Sequence, residues 1–320
     1  MIELIVGVIA FFTAWLLVPP LRKLAFQYKF VDLPNPRKVH KEPLPLLGGA
    51  AIFGGFLLAT LLVQERWAEG AQAYTGLVIG AALLFAIGLV DDWFKTRGKD
   101  FPAAPRFVIH ILAAWAVIAY GGAVQGFTMP FPEPHYVALP QTLSYIVTIL
   151  WIVGVINVFN FLDGIDGLAG GIAAISAMTL ALVALFQGQV PSAIFAIALA
   201  GAALGFLRHN FYPARIIMGD AGSTLCGFLL AAISVIGAFK SVTAVSIFVP
   251  VLALGVPILD GVRVVIERML KGQPPHKADR NHSHHKLLDA GFSQRQTVAI
   301  LYMIGTCFSL TSLIVLLVER

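Results

Sequence analysis

The sequence predicts an all-α integral membrane protein of ten transmembrane helices, and three observations carry that expectation. Of 320 residues, 58 % are apolar and 12 % charged, with a mean hydropathy of +0.84, whereas a soluble domain carries about 25 % charged residues. Runs such as LVIGAALLFAIGLV are continuously apolar, unlike the alternating segments of barrel strands. A helix needs about 20 such residues to cross roughly 30 Å of hydrocarbon, and the chain offers ten stretches near that length.

In order these are about 2–21, 47–63, 74–90, 107–120, 142–160, 167–187, 191–207, 221–239, 242–266 and 296–318, making 1–320 a single transmembrane domain. Met1-Ile2-Glu3 has no basic region and no small-residue cleavage site follows Trp15, so the first segment reads as a retained span and not a signal peptide. The second follows the basic RKVHKEPLPLLGG, and the third ends at Asp91-Asp92. The fourth carries His110, a lone polar ring expected to bond to a neighbouring helix. The fifth, sixth, seventh and eighth are joined by polar, glycine-containing segments. In the ninth, Pro257 and Gly261 predict a broken or kinked helix, with Asp260 pairing with Arg263. The tenth is a plain apolar stretch.

Composition also removes other classes. The 30 Gly and 18 Pro are scattered through apolar runs, which excludes disorder and collagen. Cys226 and Cys307 lie in apolar segments without CxxC spacing, so they read as packing residues and not as a disulfide or thiolate metal site. The net charge of +5 does not point to nucleic acid, because in a membrane chain the distribution of charge matters more than its sum. With ten spans, 19 of the 22 Lys and Arg and every Asp fall on one face. Only Arg66, Lys240 and Arg320 lie on the other. The positive-inside rule places the basic face in the cytoplasm and both termini outside.

Ionisable groups at bilayer depth cost at least about 2.5–3.5 kcal/mol, so the acids gathered there are functional candidates. Asp91 and Asp92 repel one another unless a cation, a proton or water relieves them, and Lys95, Arg97 and Lys99 follow. NVFNFLDGIDGLAGG spaces Asn157, Asn160, Asp163 and Asp166 by three, which keeps them on one face of a helix or tight helical turn. HNFYPARIIMGDAGS puts Asp220 at a helix start, either as a cap or as a hard oxygen ligand for Mg²⁺. HKADRNHSHHKLLDAG carries His276, His282, His284 and His285 among Lys277, Arg280 and Lys286. Basic neighbours favour phosphate over zinc as the partner of those imidazoles. Lys38, His40 and Lys41 add positive charge before the second span. Together these groups describe phosphoryl transfer between a soluble polyphosphate and a lipid. No P-loop or GxGxxG is present, so a nucleotide-driven ATPase or oxidoreductase has no support.

DDWFKTRGK, NVFNFLDGIDGLAGG, PARIIMGDAGS and DRNHSHHKLLDAG, in this order, closely resemble the polyprenyl-phosphate N-acetylhexosamine-1-phosphate transferases. The resemblance implies a ten-helix fold with a cytoplasmic active site in the bacterial plasma membrane. It makes Asp220 the Mg²⁺ ligand, with Mn²⁺ as a substitute, and sets Asp91 and Asp92 near the lipid phosphate. Asn160, Asp163 and Asp166 then line the nucleotide and diphosphate site, and Asn210 holds the nucleotide end. Lys41, Lys95, Lys99, His282, His284 and His285 become phosphate and sugar contacts.

The implied partners are a UDP-sugar donor, undecaprenyl phosphate and membrane lipids; the sequence leaves a homodimer open. The implied reaction forms a lipid diphosphate sugar and UMP, as in the first membrane step of lipopolysaccharide or teichoic acid synthesis. The DRxHxHH form, with Asp279 and Arg280 before the histidines, resembles the N-acetylglucosamine branch. Ile217 stands where the muramoyl-pentapeptide branch, the next reading, has Phe. An ion-coupled transporter is the reading from another class, but its acids would lie near the bilayer midplane.

Overall fold

In a computed structural model, residues 2–34, 42–65, 70–129, 135–237, 248–272 and 281–318 are described. They form α1 (Ile2–Gln27), α2 (Gly48–Leu61), α3 (Ala71–Thr96), α4 (Ala103–Ala119), α5 (Gln141–Leu162) and α6 (Leu168–Phe186). α7 (Val190–Asn210), α8 (Gly219–Ile236), α9 (Phe248–Ala253), α10 (Gly255–Leu270), α11 (Ser283–Asp289) and α12 (Gln294–Val318) follow. Two short antiparallel pairings complete the fold: β1 (Val31–Asp32) with β2 (Leu44–Pro45), and β3 (Gly126–Met129) with β4 (His135–Ala138).

Among the described residues seven helices, α1, α3, α5, α6, α7, α8 and α12, are long and apolar enough to cross a membrane. Three of the expected spans take other forms. α2 and α4 have 14 and 17 residues, hence about 21–26 Å at 1.5 Å per residue. The ninth is split at Leu254, whose φ of −106° and ψ of 22° interrupt the helix. Pro257 then falls in the first turn of α10, where a missing N–H is harmless. Gly261 does not break the helix. It brings α10 against α5, where a Cβ would collide with the Val158 side chain.

The core is centred on α8, which packs against α3 and α5, while α6, α7, α1 and α2 close the other side. Every residue of α8 is buried except Asp220. The outer surface is apolar too: Leu4, Val8 and Leu16 on α1, Leu112 and Trp115 on α4, and Leu310 and Ile314 on α12 are exposed. Apolar side chains inside and out, with backbone groups satisfied within helices, describe a bundle built for a lipid solvent. The protein is a multi-pass membrane protein. Cys226 fits the expected packing role, but Cys307 is exposed on α12, and both are free. Chain direction alternates, so the C-terminal ends of α3, α5 and α7 meet the N-terminal ends of α4, α6 and α8, and the functional motifs lie at that end.

Candidate active site

α3 runs six residues past the expected end of the third span, to Thr96. Asp91, Asp92 and Lys95 therefore sit on a continuous helix, with Lys95 one turn beyond both acids. Asp92 is fully buried and accepts hydrogen bonds from the Asp220 and Ala221 amides at 2.8 and 3.0 Å. These are orphan N–H groups of the first turn of α8, capped here by a carboxylate from another helix. Asp220 is thus not its own helix's cap. Its carboxylate points outward, with Oδ1 2.6 Å from Lys95 Nζ and 3.2 Å from Asn160 Nδ2, and Oδ2 4.0 Å from Arg106.

Gly219 makes this junction possible. Its φ is +69°, a left-handed conformation that other residues adopt at a cost, and a Cβ there would lie 2.5 Å from Asp92 Oδ2. The glycine in MGDAG therefore lets the start of α8 come down onto α3.

Asp220 stands between two cavities. The larger, about 320 Å³, is lined by Asp32, Asp92, Lys95, Asp163, Asp166 and Asn210 among others, including Ile217 and His285. The smaller, about 140 Å³, has Asp91, Arg106, His110, Asn157 and Asn160 on its wall, with Phe107 and Phe161. Asp220 lines both. A cavity of about 310 Å³ near Gln125 and Tyr145, at the opposite end, has no charged residue on its wall.

The four residues spaced by three do not share one face. α5 ends at Leu162 and α6 starts only after Gly167, whose φ is +83°. Asn157 and Asn160 thus belong to the helix and the smaller cavity, whereas Asp163 and Asp166 belong to the turn and the larger one. Burial, followed by the charge of Asp220, pushes the Asp163 carboxyl up to about 7. Asp166 Oδ2 accepts a bond from the Ala214 amide at 2.9 Å. Asn210 accepts from the Gly167 amide at 3.0 Å and donates to the Ile216 carbonyl at 2.8 Å, tying the turn to the segment before Asp220.

The histidine motif is held by α10. Asp260 pairs with Arg263 at 3.0 Å, as expected, but it also takes His282 Nδ1 at 2.7 Å. The Ser283 amide and hydroxyl add bonds at 2.7 and 2.6 Å. His282, His284 and His285 continue as neighbouring rings, 5.9 and 4.3 Å apart. Of the three, His285 reaches the wall of the larger cavity. His284 is buried against Gly164, where a Cβ would collide with its ring, and neither ring nitrogen has a partner among the described residues. Asp260→Ala should undock this motif, lowering kcat/KM by about 10- to 100-fold through loss of several bonds to one carboxylate. Initial rates with both substrates varied would show it.

Burial, then the charges of His285 and His282, push His284 down to about 3. Free histidine titrates near 6.5, so between those values the unfolded chain binds a proton that the folded chain refuses. Stability from this group is complete above about 6.5 and is lost as pH falls toward 3. The thermal midpoint in detergent should therefore drop between pH 7 and pH 5 more steeply for the native chain than for His284→Leu. Equal slopes would contradict this assignment.

Lys99 lies exposed in the turn after α3. Lys41, with Lys38, His40, His276, Lys277, Asp279 and Arg280, falls outside the described residues. Three contributors escaped the sequence reading of the site. Arg106, 2.8 Å from Asp91, enters the sequence reading only as one of the 19 basic residues on the basic face. Asp32 and Asp260 were likewise not placed there. A lone arginine opening an apolar helix, facing paired acids, was the available signal for Arg106.

A membrane bundle that gathers six carboxylates, Lys95, Arg106 and a histidine motif around paired cavities at one end defines a multi-pass membrane enzyme. The sequence matches the glycosyl transferase family 4 profile over residues 74–238. It is 34 % identical to a probable undecaprenyl-phosphate N-acetylglucosaminyl 1-phosphate transferase of Bacillus subtilis, over 98 % of this chain and 85 % of that one. It is 35 % identical to a decaprenyl-phosphate N-acetylglucosaminephosphotransferase of Mycolicibacterium smegmatis, over 95 % and 78 %. A 29 % match to an undecaprenyl-phosphate alpha-N-acetylglucosaminyl 1-phosphate transferase of Escherichia coli O157:H7 covers 88 % and 75 %. The chain belongs to glycosyl transferase family 4 and is a phosphoglycosyltransferase.

Proposed function

We propose that the protein transfers N-acetylglucosamine 1-phosphate from UDP-N-acetylglucosamine to undecaprenyl phosphate at the cytoplasmic face of a bacterial plasma membrane. The observation that carries this is the pair of unlike cavities meeting at Asp220. The larger, wide and polar, suits a nucleotide sugar, with Ile217 on its wall in place of an aromatic ring. The smaller suits a phosphate arriving from the bilayer. It pairs Arg106 and two amides with Phe107 and Phe161, both exposed toward the outside of the bundle. The names of the relatives supply the sugar and the lipid class. The gathering of 19 of 22 basic residues on the motif face supports the cytoplasmic side.

In the reaction, an oxygen of the lipid phosphate attacks the β-phosphorus of the donor. The bond from that phosphorus to the bridging oxygen breaks, and UMP leaves with the bridging oxygen. A phosphate monoester has a second pKa of about 6, so the nucleophile is already mostly a dianion at neutral pH. Asp91, held 2.8 Å from Arg106, therefore positions that arginine and does not take a proton. Asp91→Asn should lower the rate by the same factor at pH 6 and at pH 8. A defect that vanishes at pH 8 would assign Asp91 the role of base.

Mg²⁺, with Mn²⁺ as substitute, fits Asp220. Among the described residues no three His, Cys, Asp or Glu form a cage, and Mg²⁺ usually takes one or two carboxylates with waters and substrate phosphates. Asp220 is in contact with Asp91 and open to both cavities. The ion would offset charge on the diphosphate and the departing UMP. Lys95 and Arg106 would hold phosphate oxygens on either side, and Asp92 would keep Asp220 in place. Asp166 and Asn210 would shape the donor end. The test is UMP release by purified protein from UDP-N-acetylglucosamine with undecaprenyl phosphate and Mg²⁺, lost on adding EDTA and restored by Mg²⁺. No UMP from any of a panel of UDP-sugars would refute the proposal.

A further inference from the structure

His110, expected to bond to a neighbouring helix, does not do so through Nδ1. It lies on α4 one turn after Arg106 and is 4 % exposed, and its ring lines the smaller cavity with Asp91 and Asp220. Nδ1 is sealed from water and has no partner among the described residues. Phe107 packs beside the ring at 6.0 Å between centroids. A buried polar atom left unpaired is a rare and costly feature, so its orientation constrains the ring. A neutral imidazole carries one N–H and one bare acceptor. An orphaned buried N–H is rarer than an under-satisfied acceptor, which puts the proton on Nε2, the ring's remaining polar edge.

We infer that His110 is an acceptor-binding residue, donating from Nε2–H to the phosphate of the incoming lipid in the smaller cavity. This rests on the proposed reading of that cavity. The chemistry of the wall explains why a neutral donor is placed there. Asp91 and Asp220 repel a phosphate, and Arg106 is already shared with Asp91 at 2.8 Å. An imidazole N–H adds attraction for the anion without another fixed charge that the carboxylates would neutralise. Phe107, on the same helix, fills the space beside the ring on the lipid-facing side.

Glutamine and asparagine separate the two ring edges, because the glutamine amide nitrogen overlays Nε2 and the asparagine amide nitrogen overlays Nδ1. In initial-rate measurements with both substrates varied, His110→Asn and His110→Leu should raise the KM for undecaprenyl phosphate about ten- to a hundred-fold, the size of one lost bond to a charged group. The KM for UDP-N-acetylglucosamine should not move, and His110→Gln should restore the acceptor KM. Independently of any variant, undecaprenyl phosphate added without donor should move the Nε2 resonance of ¹⁵N-labelled His110 and leave Nδ1 in place. Rescue by asparagine and not glutamine, a rise confined to the donor KM, or an Nδ1 shift would overturn the assignment. So would unchanged acceptor KM values in an active enzyme. A native chain releasing no UMP from any UDP-sugar would instead sink the reading of the cavity itself.

Discussion

Asp220→Ala is expected to abolish UMP release, with a loss of at least about a thousand-fold in single-turnover rate, at the upper end of what one preorganised charged group supplies. Asp220 is the only residue of α8 that is not buried, and it faces both cavities. Its carboxylate is also the meeting point of Lys95, Asn160 and Arg106. Removing it leaves Lys95 and Arg106 without their shared anion and removes the proposed metal ligand. Asp220→Asn keeps the size and the contact with Asn160 but not the charge, so it should lose nearly as much. A variant that melts like the native chain yet retains a tenth of the rate would show that the carboxylate does not lie at the reacting centre.

Gly219→Ala has the second largest expected effect, and it acts entirely through geometry. An alanine at a φ of +69° costs about 1–2 kcal/mol in backbone energy. Its Cβ would also press on the Asp92 carboxylate at 2.5 Å. Asp92 caps the Asp220 and Ala221 amides, so moving it tilts the first turn of α8 and carries Asp220 away from Lys95. A displacement near 1 Å at a reacting centre can cost about a hundred-fold. Gly219→Ala should thus lower kcat by about that factor while the thermal midpoint falls by only a few degrees. Full activity with an unchanged midpoint would mean that the junction of α3 and α8 does not set the site.

Asp91→Asn and the His284 pH series probe the flanks of the same arrangement. The first asks whether the carboxylate beside Arg106 moves a proton. The second asks whether the histidine motif is held by burial.

Much of this was legible in the sequence. Hydropathy located the seven described helices long and apolar enough to cross a membrane, because a lipid solvent requires length and uniform apolarity. Most of the acids stand out because charge is scarce in such a chain, although nothing local in the sequence sets Asp32 or Asp260 at the site. Distances between helices were less accessible. The spacing of Asn157, Asn160, Asp163 and Asp166 suggests one helical face, yet α5 ends at Leu162 and the turn up to Gly167 sends the pairs into different cavities. Asp92 and Asp91 are neighbours in sequence, but one caps α8 and the other holds Arg106. Periodicity cannot separate those roles, since both depend on which helix lies across from α3. The three histidines read as equal phosphate contacts, whereas Asp260 holds the first, Gly164 receives the second, and the third lines the cavity. Arg106 went unplaced for a similar reason: its partner lies fifteen residues away on another helix.

The central claim is that donor and acceptor occupy two cavities at once and react across Asp220. Exchange of labelled UMP into UDP-N-acetylglucosamine in the absence of undecaprenyl phosphate tests it most directly. Simultaneous occupancy predicts no exchange until the lipid or its diphosphate product is present. Exchange by the donor alone would mean that a protein carboxylate carries the sugar phosphate covalently between two separate steps, and it would contradict direct transfer between the cavities.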